Sequence, residues 1–143
     1  MWIVFSLLAA LSAAVVVTLS KAGIKNVDSS LAFAIQSVLI VLVAWSVVAW
    51  QGNLPEVSAI DRRSWVFLIT AGVLTCVSSL LSFRALSLGN ASRVSPLDKI
   101  SLVFAIVLAA VFLKEKLSWQ VLVGAGLMAI GAVVIALSKP AGE

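Results

Sequence analysis

The sequence predicts an all-α integral membrane protein with five transmembrane helices. Of its 143 residues, 62% are hydrophobic and 11% are charged, whereas soluble domains are about 45–50% apolar and about 25% charged. The apolar residues form five runs of about 20 residues each, the length that a helix needs to cross about 30 Å of hydrocarbon. The polar segments between them are too short to form a soluble domain. The function must therefore lie within or across the lipid bilayer.

The five predicted helices follow these runs in order and make a single transmembrane domain over residues 2–138. Their predicted bounds are residues 2–20, 30–50, 64–88, 96–113 and 119–138. Five crossings place the two ends of the chain on opposite faces of the membrane. We call the face at the start of predicted helix 1 face A and the opposite face B.

Lysine and arginine are divided almost evenly between the two faces, although cytoplasmic loops are normally enriched in them. Face A carries Arg62, Arg63, Lys114 and Lys116, and face B carries Lys21, Lys25, Arg84, Arg93 and Lys139, with Lys99 as a possible sixth. Two interpretations stay open. The chain inserts one way under a weak bias, or it inserts in both directions and forms an antiparallel homodimer. These basic residues form no patch, so we expect no nucleic-acid partner.

Predicted helix 3 carries a stripe of hydroxyl side chains in its second half: Thr75, Ser78, Ser79 and Ser82. Hydroxyls in membrane helices often bond back to the carbonyl one turn earlier. Four of them on one face would also suit a wet cavity that holds a substrate. Both interpretations are kept.

Predicted helix 5 carries small residues at helical spacing: Gly124, Ala125, Ala129, Gly131 and Ala132. In lipid, small residues allow two helices to approach closely, and the packing then holds them together. This face therefore serves helix packing within the chain or contact between two chains of a dimer.

The start of predicted helix 4 combines a proline, an acid and a base. Ser95, Pro96 and Asp98 have the pattern of a capping box, with serine as the N-cap and proline at the first helical position. Lys99 is harder to explain, because a cation in the first turn meets the positive end of the helix dipole. We expect Asp98 to anchor the helix. Lys99 should lie there only if it snorkels to the membrane surface, pairs with an anion or faces water, and lining a functional cavity is one of the interpretations kept open.

Several chemistries find no support in the sequence. The interiors of predicted helices 1, 2, 3 and 5 hold no acid, whereas a proton-coupled exporter of cationic drugs normally needs an intramembrane carboxylate. The chain has no histidine, and no nucleophile, base or metal-ligand set converges in any helix. We therefore expect no enzyme, no metal and no cofactor.

Residues 83–137 resemble the second half of an EamA repeat of the drug/metabolite transporter superfamily. The resembling features are the FRAL motif, the proline-headed helix, the FLKEKLS hairpin and the glycine-rich last helix. TLSKAGIKNVDSSLA resembles the corresponding first helix and loop. Most members carry two inverted repeats around a central cavity, whereas this chain resembles the single-repeat, five-helix members. Lys114 stands where these hairpins usually have glycine.

The resemblance implies a transporter that needs a second, inverted copy, because one repeat is missing. We expect a homodimer in the inner cell membrane that works by alternating access, with Lys99, Asp98 and the hydroxyl stripe at the substrate. Because Asp98 also anchors the helix, Lys99 is the charge expected to face the cargo, and the small-molecule cargo is expected to be carboxylate-bearing or zwitterionic. The alternative is a non-transporting membrane subunit, or a component that moves a lipid-linked headgroup, with one fixed orientation.

Overall fold

A computed structural model describes residues 1–138, and every regular element in that range is helical. The helices are α1 (Trp2–Gly23), α2 (Ser29–Gln51), α3 (Arg62–Leu88), α4 (Ala91–Asp98), α5 (Ser101–Phe112) and α6 (Trp119–Leu137), with short 3₁₀ turns at Ile24–Asn26 and Leu54–Ala59. Five segments are long and apolar enough to span a membrane, the fourth being α4 and α5 together. The predicted fold class is therefore confirmed.

The chain divides into two compact units, Met1–Ser87 and Leu88–Glu143. The first contains α1, α2 and nearly all of α3, and the second contains α4, α5 and α6. Within the second unit, α6 packs against both α4 and α5. Lys139 lies outside the described residues.

Both ends of α2 are closed by local hydrogen bonds. At the start, the Asp28 carboxylate accepts from the main-chain N–H groups of Ser30 at 2.8 Å and Leu31 at 3.2 Å. The bonds from Leu31 and Ser30 favour the ionised form and lower the pKa of Asp28. At the other end, Gly52 has φ 75° and the N–H of Asn53 donates to the carbonyl of Val48. Glycine adopts this left-handed conformation at the end of a helix without steric strain.

The predicted start of the fourth span is wrong. Its helix begins at Ala91 rather than at Pro96, because the Asn90 carbonyl accepts from the N–H groups of Arg93 and Val94 and starts the first turn earlier. Ser95 is therefore an interior residue whose carbonyl accepts from the Lys99 N–H at 3.2 Å. The proposed capping box is not formed, and Asp98 is the last residue of α4 instead of a first-turn anchor.

Pro96 lies inside α4 and is followed by a change in helical hydrogen bonding. Proline has no N–H to donate to the carbonyl one turn earlier, and its ring crowds that carbonyl. Just beyond it, Ile100 N–H donates to Leu97 and Leu102 N–H donates to Lys99, three residues back. This tighter 3₁₀ pattern separates α4 from α5, and such a segment within a span is a frequent site of bending.

The turn after α5 places a lysine in a backbone conformation that favours glycine. Lys114 has φ 55°, and a side chain in the left-handed region costs roughly 1–2 kcal/mol. On either side of it, the N–H groups of Leu113 and Glu115 both donate to the Ala109 carbonyl, which closes the helix end. The tight turn of the hairpin is thus present although its usual glycine is missing.

We expect Lys114→Gly to raise the free energy of unfolding by about 1 kcal/mol, because glycine adopts a positive φ without strain. The measurement is equilibrium unfolding in mixed detergent micelles, followed by tryptophan fluorescence. Lys116→Gly is the matched control, since it removes the same charge at a residue without positive φ. A gain in stability with Lys116→Gly of the same size would show that charge, and not backbone strain, is responsible.

Few side chains of a single chain are buried. Among residues 1–138 the buried apolar residues are Ile24, Leu86, Ala125 and Ala132, and Ser29 is the buried polar residue. Long apolar side chains along every span are exposed instead. In a membrane these faces are covered by lipid or by other protein.

Candidate transport site

Lys99 lies inside the fourth span rather than at its entrance. The apolar helix α5 has 12 residues, about 18 Å of length, which is too short to cross about 30 Å of hydrocarbon. Because Lys114 and Glu115 follow α5 closely, α4 must supply the remaining depth. Lys99 comes eight residues after Ala91, about 12 Å along the span. A cation at that depth is costly, so Lys99 is a candidate functional residue.

The new helix start also changes the electrostatics around Lys99. This residue is the C-cap of α4, where the negative end of that helix dipole favours a cation, and it also precedes α5, whose positive end opposes one. The side chain is exposed, and no hydrogen bond or ion pair joins it to another residue of the described range. Asp98, beside it, is also exposed and has a polar interaction of its own. The charge of Lys99 is thus available to a ligand.

The four residues of the predicted hydroxyl stripe on α3 differ in their exposure and in their hydrogen bonding. Thr75 Oγ1 donates to the Ala71 carbonyl at 2.8 Å, which is the back-bond typical of membrane helices. Ser82 is half-buried and has a partner. Ser78 is exposed and Ser79 is half-buried, and neither hydroxyl bonds to another residue of the part that the structure describes. These two serines are the members of the stripe with free hydrogen-bonding capacity.

The small residues of α6 divide between inward and outward positions. Ala125 and Ala132 are buried and Ala129 is half-buried, on a helix that packs against α4 and α5. Gly131 is exposed and Gly124 is half-buried, and a Cβ atom added at either glycine would meet nothing within 4 Å. The glycines therefore leave open space on the surface of α6.

The first unit contains a cavity that the sequence reasoning did not identify. It has a volume of about 380 Å³ and lies between one face of α1, one face of α2 and Phe83 of α3. Ser20 and Gln36 supply its polar side chains, and the rest of the lining is apolar apart from main-chain atoms. Gln36 is an amide within an apolar span, and this was the signal in the sequence that could have indicated the cavity.

Two cations donate hydrogen bonds to main-chain carbonyls at helix ends. Lys21 Nζ donates to the Leu86 carbonyl in the last turn of α3 at 2.6 Å, and Arg93 donates through a guanidinium nitrogen to the Ala136 carbonyl in the last turn of α6 at 2.7 Å. The last four carbonyls of a helix have no partner within the helix. Both bonds satisfy such a carbonyl and place positive charge at the negative end of a helix dipole.

Five apolar helical spans and an intramembrane lysine define a multi-pass membrane protein. The EamA-like transporter family matches residues 1–137, and the chain belongs to this family. One family match covers nearly the whole chain, which agrees with the single EamA repeat that the sequence resemblance implied.

Two curated proteins illustrate the likeness. An uncharacterized transporter encoded in the cobO 3' region of Sinorhizobium sp. is 38% identical over 136 residues, which are 95% of this chain and 96% of that protein. An uncharacterized protein of Methanocaldococcus jannaschii is 35% identical over 79 residues, 55% of this chain and 58% of that one. No solved structure matches the chain.

Proposed function

We propose that the protein is a small-metabolite transporter of the inner cell membrane, and that residues 2–138 act as one domain of an antiparallel homodimer. The observation that carries this proposal is that a transporter repeat accounts for residues 1–137, while secondary transporters generally enclose their substrate between two inverted repeats. A second copy inserted in the opposite direction supplies the missing repeat. Alternating access then follows from rocking of one copy against the other.

The exposed helices and the balanced charges support a dimer of this kind. Long apolar side chains cover the surface of all five spans, and the glycines on α6 leave room for close approach of another helix. The nearly equal numbers of Lys and Arg on faces A and B give no strong preference for one orientation. Equal populations of the two orientations are what an antiparallel homodimer requires.

Lys99 is the residue that we place at the cargo, with Asp98 and the α3 stripe (Thr75, Ser78, Ser79, Ser82) as further substrate contacts. An exposed ammonium about 12 Å into a span favours an anionic group on the ligand. This supports a carboxylate-bearing or zwitterionic cargo rather than an organic cation. Transport, and not catalysis, is the function inferred from this arrangement.

Labelling of the two chain ends tests the dual topology. A single cysteine is added at either end in a Cys76→Ser background, because the native Cys76 is exposed. Intact cells are treated with a membrane-impermeant maleimide. We expect each end to be labelled in about half of the molecules, since a near-tie in Lys and Arg gives no preferred orientation. One fully labelled and one unlabelled end would contradict the antiparallel pair and favour the alternative membrane subunit.

The double variant Arg62→Ala/Arg63→Ala is the control for this experiment. It reduces the basic residues on face A from four to two and leaves those on face B unchanged. The orientation with face B in the cytoplasm should then predominate. If labelling of the two ends stays equal in the double variant, the charge balance does not set the topology.

A further inference from the structure

We propose that the cavity between α1, α2 and α3 is a binding site for small molecules that combine an apolar body with an uncharged polar group, and that the Gln36 amide recognises this group. None of the residues that line this cavity is among those placed at the cargo above. Binding here goes beyond the proposed transport, and the bound molecule differs in class from the carboxylate-bearing or zwitterionic cargo.

Helical spacing brings the cavity lining together. Val16, Leu19, Ser20 and Gly23 recur at intervals of three, one and three residues on α1, which places them on one face. Ala32, Ile35 and Gln36 share one face of α2 in the same way. The two faces, Val27 and Phe83 line the space, which is partly open to its surroundings.

Phe83 is held in the cavity wall by a second ring. Its centroid lies 5.4 Å from that of Phe33 of α2, with the two ring planes at 58°. This tilted geometry is one that aromatic pairs favour. The wall between α2 and α3 is therefore built before any ligand enters.

Gln36 lies well below the membrane surface. It comes seven residues after Ser29, the first residue of α2, about 10 Å along that helix. The side chain is half-buried, and its amide bonds to no other residue of the range 1–138. Ser20, across the cavity, likewise has no side-chain hydrogen bond to the described residues. An amide without partners in hydrocarbon is costly, and a molecule in the cavity can satisfy it.

The lining decides the class of that molecule. Among residues 1–138, no lysine, arginine, aspartate or glutamate lines the cavity, so an ion would lose its hydration there without gaining a counter-charge from these residues. An amide presents one carbonyl acceptor and two N–H donors, which pair with a group that both donates and accepts. The volume of about 380 Å³ falls within the usual range of small-molecule sites, roughly 300–1,000 Å³.

Benzamide, an aromatic ring with one primary amide, is the probe that tests this site. Its binding to the full-length protein in lipid nanodiscs is measured by equilibrium dialysis of the labelled compound, with empty nanodiscs to subtract partitioning into lipid. We expect saturable binding to the wild type, and at least fivefold weaker binding of benzoate, which has the same shape and a negative charge. Equal or tighter binding of benzoate would overturn the assignment to uncharged ligands.

Variants locate the binding within the cavity. Gln36→Leu should weaken benzamide binding at least fivefold by removing the hydrogen-bonding group. Gly23→Leu should weaken it to a similar extent by filling the cavity, since a Cβ at Gly23 meets no atom within 4 Å. Ser37→Ala, next to Gln36 and bonded to the Phe33 carbonyl at 2.8 Å, is the matched control and should change binding less than twofold.

Other occupants of the cavity give different results. No saturable benzamide binding means that a lipid chain fills the space, and it overturns the proposal. Wild-type affinity for benzamide in the Gln36→Leu variant would also overturn the proposal. If Gln36→Leu instead converts dimers to monomers, the second copy satisfies the amide and the site is an interface. Because binding is measured without transport, these outcomes are independent of whether the protein moves cargo.

Discussion

Replacing Lys99 by methionine should lower the transport rate by a factor on the order of 10 to 100. Methionine keeps a similar length and removes the charge. Hydrogen bonds to charged groups contribute about 1.5–3 kcal/mol, and each 1.4 kcal/mol corresponds to about tenfold in an equilibrium constant. The measurement is uptake into proteoliposomes of labelled amino acids and small carboxylates, screened first with the wild-type protein.

Lys116→Met is the matched control for this experiment. Lys116 is an exposed lysine between α5 and α6, so the variant changes the net charge equally without altering the interior of a span. Lys99→Arg should retain part of the activity because it retains the cation. Full transport by Lys99→Met would show that the Lys99 charge is not needed for transport. The proposal that Lys99 binds an anionic group of the cargo would then be wrong.

Replacing Arg93 by alanine should lower the free energy of unfolding by about 2 kcal/mol. Arg93 is half-buried and bonds the Ala136 carbonyl at 2.7 Å. Its loss leaves that carbonyl without a partner at the end of a membrane helix, and a charge-assisted hydrogen bond is lost with it. Equilibrium unfolding in mixed micelles, followed by tryptophan fluorescence, measures the change.

Arg62→Ala is the appropriate comparison, since Arg62 is exposed at the start of α3 and its side chain has no hydrogen bond within residues 1–138. We expect that variant to change the free energy of unfolding by less than about 0.5 kcal/mol. If Arg93→Ala is equally mild, the bond to Ala136 adds nothing to stability. Lys21→Met provides a second test of the same principle on the Leu86 carbonyl.

The number and order of the spans could be predicted from the sequence because hydrophobic length is a local property. A run of about 20 apolar residues must become a helix in lipid, and all five runs do so. The capping box failed for an equally physical reason. A serine followed by proline and an acid can start a helix, but the Asn90 carbonyl had already started one five residues earlier.

The candidate site was predictable only where the signal lay in one residue. Lys99 stands out in any apolar span, and its deeper position follows once the helix start is corrected. Gln36 was also visible in the sequence, but its role depends on faces of α1 and α2 that meet in the folded unit. The bonds from Lys21 to Leu86 and from Arg93 to Ala136 join residues 65 and 43 positions apart. No local pattern encodes such pairs.

In the proposed homodimer, the exposed surface of the single chain would link its stability to its abundance. With few buried side chains, each copy has little internal packing to resist local unfolding, and an oligomer in which both partners gain contacts is stabilised by mass action. A chain expressed at low copy number would meet few partners in the bilayer and would be degraded sooner. The amount of active protein should therefore rise more steeply than its rate of synthesis.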